Sequence, residues 1–146
     1  MTLLRASLFA IALSTAAPSL AQATPETIAN SVLRDFKKGD ATVAINNLLA
    51  KAPLLSSIGP EERANLIDKL DSFFTDYGKI DGWQLLNSSE FSNRYVGHTY
   101  IIFQEDYAIN LNLKFYRSET GWAVTGFSFD SKIDDLLDTQ SSTKPE

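Results

Sequence analysis

The chain contains no cysteine and only one histidine, His98. The first absence excludes disulfide staples, thiolate metal sites and thiol nucleophiles, so stability must come from packing alone. The second excludes zinc sites built from several imidazoles and leaves one imidazole able to act as a general base. A phosphate-cradling glycine loop, a G-x-S-x-G elbow and an H-E-x-x-H signature are missing too. Acidic pairs such as Asp134-Asp135 lack the alternating oxygen ligands and glycine of a calcium loop. No metal and no cofactor are therefore expected. No run of like charge exceeds two residues, so no charged interaction tail is evident. Long apolar runs are absent as well: the stretch at 8–17 is about half of the ~20 residues that a membrane-spanning helix needs.

That short run belongs instead to an export signal. Arg5 supplies a positive start, the run at 8–17 is broken by Ser14 and Thr15, and Pro18 precedes the small-x-small site Ala21-Gln22-Ala23. Residues 1–23 are expected to be a cleaved signal peptide, which places the mature protein in the periplasm without a stable membrane anchor. Beyond Ala23 the chain carries 12 basic and 18 acidic side chains. That balance argues against nucleic acid, whose phosphates demand a basic stripe, and against an anionic membrane surface.

Hydrophobic rhythm divides the mature chain into a helical half and a strand half. Thr24-Pro25-Glu26 reads as cap, first-turn proline and first-turn acid. Ile28, Val32, Leu33 and Phe36 follow at helical spacing until Gly39. Asp40 opens a second helix with Ala41, Ala44, Ile45, Leu48 and Leu49 on one face, and 54–60 is a loop. Pro60 begins a third helix, in which Leu66, Ile67, Leu70, Phe73, Phe74 and Tyr77 form one stripe ending at Gly78. From Ile80 the period becomes two, and strands are predicted at 82–87, 93–103, 107–117 and 122–130. In the last strand Trp122 and Val124 have one phase, Phe127 and Phe129 the other, which predicts a β-bulge or bend at Gly126. Ile133, Leu136 and Leu137 suit a closing helical turn. The expected organisation is one α+β domain at 24–137 and a disordered tail at 138–146. Its architecture is a two-layer α+β roll, with N-terminal helices packed on a bent four-stranded antiparallel sheet.

The tracts YGKIDGWQLL, NRYVGHTYIIFQEDYAINLNLKFYR and GWAVTGFSFD resemble the C-terminal half of small exported bacterial domains. These domains belong to the nuclear transport factor-like, or cone-shaped cystatin-like, superfamily, in its uncharacterised group. The pieces that carry the likeness are Gly78, Phe115-Tyr116-Arg117, Gly121-Trp122 and Phe127-Ser128-Phe129-Asp130. The resemblance implies helices folded over a strongly bent sheet and a conical cavity between them. It leaves function open, because the superfamily hosts isomerases, dehydratases and non-catalytic binding or dimerisation modules.

Three sites follow from these readings. With an even turn around Glu105-Asp106, Ile102 faces Ile109, Tyr100 faces Leu111 and His98 faces Leu113, all toward the helices; an odd turn reverses them. The even register is preferred. His98 and Tyr100 are the nearest match to the acid or histidine beside a tyrosine that the superfamily's isomerases and dehydratases use. A lone histidine is nevertheless more often a hydrogen-bonded core residue than a catalyst. Trp83, Tyr95, Tyr116 and Trp122, with His98 and Tyr100, are suited to line a cavity for a small apolar ligand, although large aromatics usually form core. The outer sheet face offers Ile101, Asn110, Asn112, Lys114 and Tyr116, and in one phase Phe127 and Phe129. Superfamily members pair through that face, so Asn110, Asn112, Lys114 and Tyr116 are candidate interface residues. The favoured function is an exported, non-catalytic binding or interaction module, dimerising through its sheet. The alternatives are an isomerase or hydratase using His98 and Tyr100, and an accessory subunit of an envelope complex.

Overall fold

Thr24 starts the first helix as its sequence suggests: its hydroxyl accepts a hydrogen bond from the Thr27 amide, and Pro25 occupies the first turn, where a missing N–H costs nothing. In the computed structural model, which describes residues 22–136, this helix is α1 (Pro25–Lys37). Gly39, at φ 75°, ends it and hands the chain to Asp40, whose carboxylate accepts from Val43 N at 2.9 Å and caps α2 (Ala41–Ala50). A short 3-10 turn (Pro53–Leu55) interrupts the stretch expected as loop. Helix α3 (Pro60–Tyr77) carries acids in its first turn and buries Leu70 and Phe73.

Four strands then form one sheet in sequence order: β1 (Ile80–Ser92), β2 (Tyr95–Gln104), β3 (Ala108–Ser118) and β4 (Gly121–Asp130), every neighbour antiparallel. The first strand is twice the expected length. Pairing with β2 carries it past its apolar residues, and three register shifts along it, at 80/82, 85/87 and 90/92, bend this edge strand. On the helix side, β2 presents Val96, His98, Tyr100, Ile102 and Gln104, while β3 presents Ile109, Leu111, Leu113 and Phe115. The β2–β3 register is the even one, with His98 opposite Leu113 and Tyr100 opposite Leu111.

The bulge falls one residue before Gly126. Lys114 pairs with Gly126 and Phe115 with Val124, so Thr125 is the extra residue. One inserted residue shifts side-chain parity, and the two apolar phases of β4 therefore face the same core. Phe127 and Phe129, considered above for the outer face, lie inside opposite Leu113 and Leu111, with Phe129 2% exposed. There Phe129 meets Phe36 and Phe73 edge-on, at centroid distances of 6.0 and 6.1 Å. Phe36, Phe115, Phe129, Leu33, Ile45 and Leu48 are fully buried at the centre of the core.

The far end of this core is closed by the β2–β3 turn. Gln104 Nε2 donates to Phe73 O (3.0 Å) and Gly78 O (2.7 Å), and Asp106 N donates to Tyr77 O (3.0 Å). The last turn of α3 and its C-cap Gly78 are thus tied to a hairpin 26–31 residues away, which supplies donors where the helix ladder ends. Residues 133–136 form a helical turn, as expected for Ile133 and Leu136. The segment expected as a signal peptide, apart from its last two residues, Leu137 and the segment expected as a tail at 138–146 lie outside the described residues.

Candidate functional site around His98

His98 and Tyr100 are two residues apart on β2 and so project from the same face, within electrostatic reach of Glu26 in the first turn of α1. Both are buried, at 8% and 2% exposure. Tyr100 Oη lies 3.3 Å from His98 Nδ1; with the imidazole proton on Nε2, the hydroxyl donates and Nδ1 accepts. The Phe115 ring packs edge-on against the imidazole at 5.4 Å. Loss of water around the ring pulls the His98 pKa below its usual value, and the negative charge of Glu26 only partly opposes this. Burial, reinforced by Glu26, pushes the Tyr100 hydroxyl up to about 12. At neutral pH the pair is therefore an uncharged imidazole bonded to an un-ionised phenol.

Of the other four aromatic candidates, Tyr95 and Tyr116 lie on the outer face instead of lining a cavity, and the two tryptophans do not join this pair either. Trp83 pairs with Ile102, four positions along β2 from His98, or about 13 Å at the usual rise per residue. Its indole N–H donates to Asn30 Oδ1 at 3.3 Å and ties β1 to α1. Trp122 pairs with Arg117, as far from His98 in the opposite direction. The two tryptophans are half-buried and pack against the main core. Four depressions lined by described residues lie elsewhere: at 93–94 and 117–119, at 39–42 with 67–71, at 36–39 with 74–80, and around Lys114 and Phe127. Among the described residues, the imidazole has one hydrogen-bond partner, Tyr100, and an aromatic wall in Phe115.

The outer face is organised by a polar ladder that sequence reading did not join up. Thr99 Oγ1 donates to Asn112 Oδ1 (2.7 Å), Asn112 Nδ2 to Asn110 Oδ1 (3.0 Å), and Asn110 Nδ2 to Asp130 Oδ1 (2.6 Å). Asn110, expected at an interface, is only 3% exposed and its amide is consumed by this ladder. Asn112 is half-buried, whereas Lys114 and Tyr116 stand exposed. At one end of the face Phe91 (75% exposed) packs on Tyr95, and the Arg94 guanidinium lies 5.3 Å from the centre of the Tyr116 ring. Phe103 and Ile101 occupy the other end.

Two buried polar groups also escaped the sequence reading. Asp35, on α1, accepts from Lys38 Nζ (2.8 Å) and Asn47 Nδ2 (3.1 Å), with Lys51 at 3.9 Å. The Lys38 hydrogen bond, above all, holds its carboxyl below the usual carboxylate range against the effect of burial. The other is Gln104, which shares the parity of Tyr100 and Ile102; that parity was the available signal.

No protein-family model and no curated protein sequence matches the chain. Solved structures do. A Campylobacter jejuni protein named an NTF2-like transpeptidase superposes with a TM-score of 0.54 at 14% identity, over 70% of this chain and 97% of that one. The fold is NTF2-like. A domain of unknown function with a cystatin-like fold from Nostoc punctiforme matches at TM-score 0.47 and 10% identity, covering 80% of this chain and 83% of its own. A DUF4783 family protein from Bacteroides ovatus gives 0.47 and 13%, over 75% and 96%. At such identities the NTF2-like likeness concerns backbone architecture, and the activity in the first name belongs to that protein alone.

Proposed function

We propose that the protein is an exported, non-catalytic interaction module, periplasmic in location, which works as a homodimer paired through the outer face of its sheet. The observation that carries this reading is the make-up of that face. In a chain rich in acid, the outward positions of β2, β3 and β4 include only two charged residues, Lys114 and Asp130. Depletion of charge with aromatic enrichment marks interface cores.

The face is also self-complementary about the Thr99–Asn112 pair. Tyr95 and Phe103 lie four positions to either side of Thr99 on β2. Lys114 lies on one side of Asn112, and the Asn110–Asp130 pair on the other. A twofold axis through the centre sets Tyr95 of one copy over Phe103 of the next and Lys114 over Asp130. It also brings the Asn93-Arg94 turn toward the acidic Glu105-Asp106 turn. The packed surroundings of His98 favour this reading over an isomerase or hydratase using His98 and Tyr100.

Sedimentation equilibrium tests the proposal. The mature chain is expected to be dimeric at about 50 micromolar, a range typical of weak association. Lys114→Asp, counted twice by symmetry, should shift it to monomer, and adding Asp130→Lys should restore the dimer. Circular dichroism checks that each variant is folded. A monomeric wild-type chain overturns the proposal.

A further inference from the structure

Away from the sheet face, the ends of two helices enclose a basic, partly apolar groove. Its volume is about 440 Å³, and its walls are Phe36, Lys37, Lys38, Gly39, Phe74, Gly78, Lys79 and Ile80. Three of these eight residues are lysines and none is acidic, in a chain whose formal net charge is −5. The neighbouring depression, with Asp40, Asp68 and Asp71, has the opposite character.

Basic residues at helix C-termini ordinarily complement the negative end of the helix dipole. Here much of that need is met from elsewhere. At the end of α1, Asp35 O and Phe36 O receive Lys38 N and Gly39 N. At the end of α3, Phe73 O and Gly78 O receive Gln104 Nε2, and Tyr77 O receives Asp106 N. Lys38 Nζ is held by Asp35 at 2.8 Å, which leaves the ammonium groups of Lys37 and Lys79 to act outward. Lys37 Nζ spends one proton on Asp81 O at 2.8 Å and retains two. The Lys79 ammonium has no partner among the described residues. Half-buried Phe74, the edge of buried Ile80 and the lysine stems supply the apolar wall.

We propose that this groove binds a small amphiphilic carboxylate, with its carboxyl group between Lys37 and Lys79 and its alkyl or aryl part against Phe74 and Ile80. The volume is within the range of small-molecule sites, roughly 300–1,000 Å³. Charge selects the headgroup, and the apolar wall selects for a tail. The site is separate from the sheet face, so it stands or falls independently of dimerisation.

The test is an amide-resolved NMR titration of the mature chain with sodium octanoate, run beside acetate and octylammonium. Octanoate should shift resonances at 36–39 and 74–80 with a Kd at or below about 1 mM, and acetate should bind at least about tenfold more weakly. Octylammonium should leave those resonances in place. The folded double variant Lys37→Ala/Lys79→Ala should lose at least about tenfold in octanoate affinity. Shifts located elsewhere, equal shifts with octylammonium, or an unchanged double variant overturn the proposal.

Discussion

Replacing His98 by leucine should separate the packed-core account of this residue from a catalytic one. At pH 7.5 the variant loses the hydrogen bond with Tyr100 and leaves a phenol 2% exposed without that partner. The bond is worth about 1 kcal/mol and an orphaned buried hydroxyl costs about 1–3 kcal/mol, while leucine recovers part of this through apolar contact with Phe115; a net loss of about 1–2 kcal/mol is expected. In acid the balance changes. Burial depresses the native imidazole pKa below its ordinary value of 6.5, so below pH 6.5 the unfolded chain binds a proton that the native chain resists. Wild-type stability then falls with pH at up to about 1.4 kcal/mol per unit until the native pKa is reached. The leucine variant lacks this contribution.

Urea unfolding at pH 7.5, 6 and 5 should therefore show the two stabilities converging, with the carboxylates common to both chains cancelling in the difference. Because the chain has one histidine, a single imidazole Cε1–H resonance reports the native pKa without further assignment. A resonance titrating at or above 6.5, or stability curves that fall in parallel, would refute the reasoning and return His98 to the list of candidate bases.

Two other substitutions probe how the core is closed. Gln104→Glu sets an acceptor-only carboxylate against Phe73 O and Gly78 O and should cost about 3 kcal/mol at pH 8. Its native pKa is then raised, so the loss should shrink as pH falls toward 4; equal stability of variant and wild type at pH 8 sinks the clamp. Gly78→Ala forces a side chain into φ 80° and against Glu105, for an expected cost of about 2 kcal/mol. Adding Glu105→Ala should remove the clash with the carboxylate but leave the close Cβ contact and the backbone strain, so that denaturant midpoints recover only in part.

The roll was legible because its signals were periodic and redundant. Caps at Thr24 and Asp40, stripes on three helices and strict alternation in 107–117 each point to the same layers. Even the β2–β3 register could be read, since only an even turn keeps Tyr100, Ile102, Ile109 and Leu111 on one face. Strand β1 was half-missed because its later residues, such as Ser88, Ser89 and Glu90, pair through backbone alone and carry no apolar rhythm. Asp35 and Gln104 were missed for a related reason. A buried polar group is recognisable from its partners, and apart from Lys38, three residues from Asp35, those partners are 12 to 31 residues away.

The same logic explains why the outer face is harder to read than the core. On the inner face, the helices select apolar side chains, and the Thr125 bulge allows two opposed phases of β4 to serve one core. On the outer face, selection acts through whatever covers it, and its asparagines and threonine satisfy one another in a ladder whether or not a partner is present. A ladder of this kind needs no partner for its stability. The exposed aromatics gain nothing from it: Phe91 and Phe103 remain 75% and 42% exposed beside residues that are already satisfied. Keeping large apolar groups at both ends of a charge-poor sheet is costly for the isolated chain and favourable for one that pairs. A paired sheet would cover what the fold leaves uncovered, and the charge reversal at Lys114 and Asp130 tests it directly.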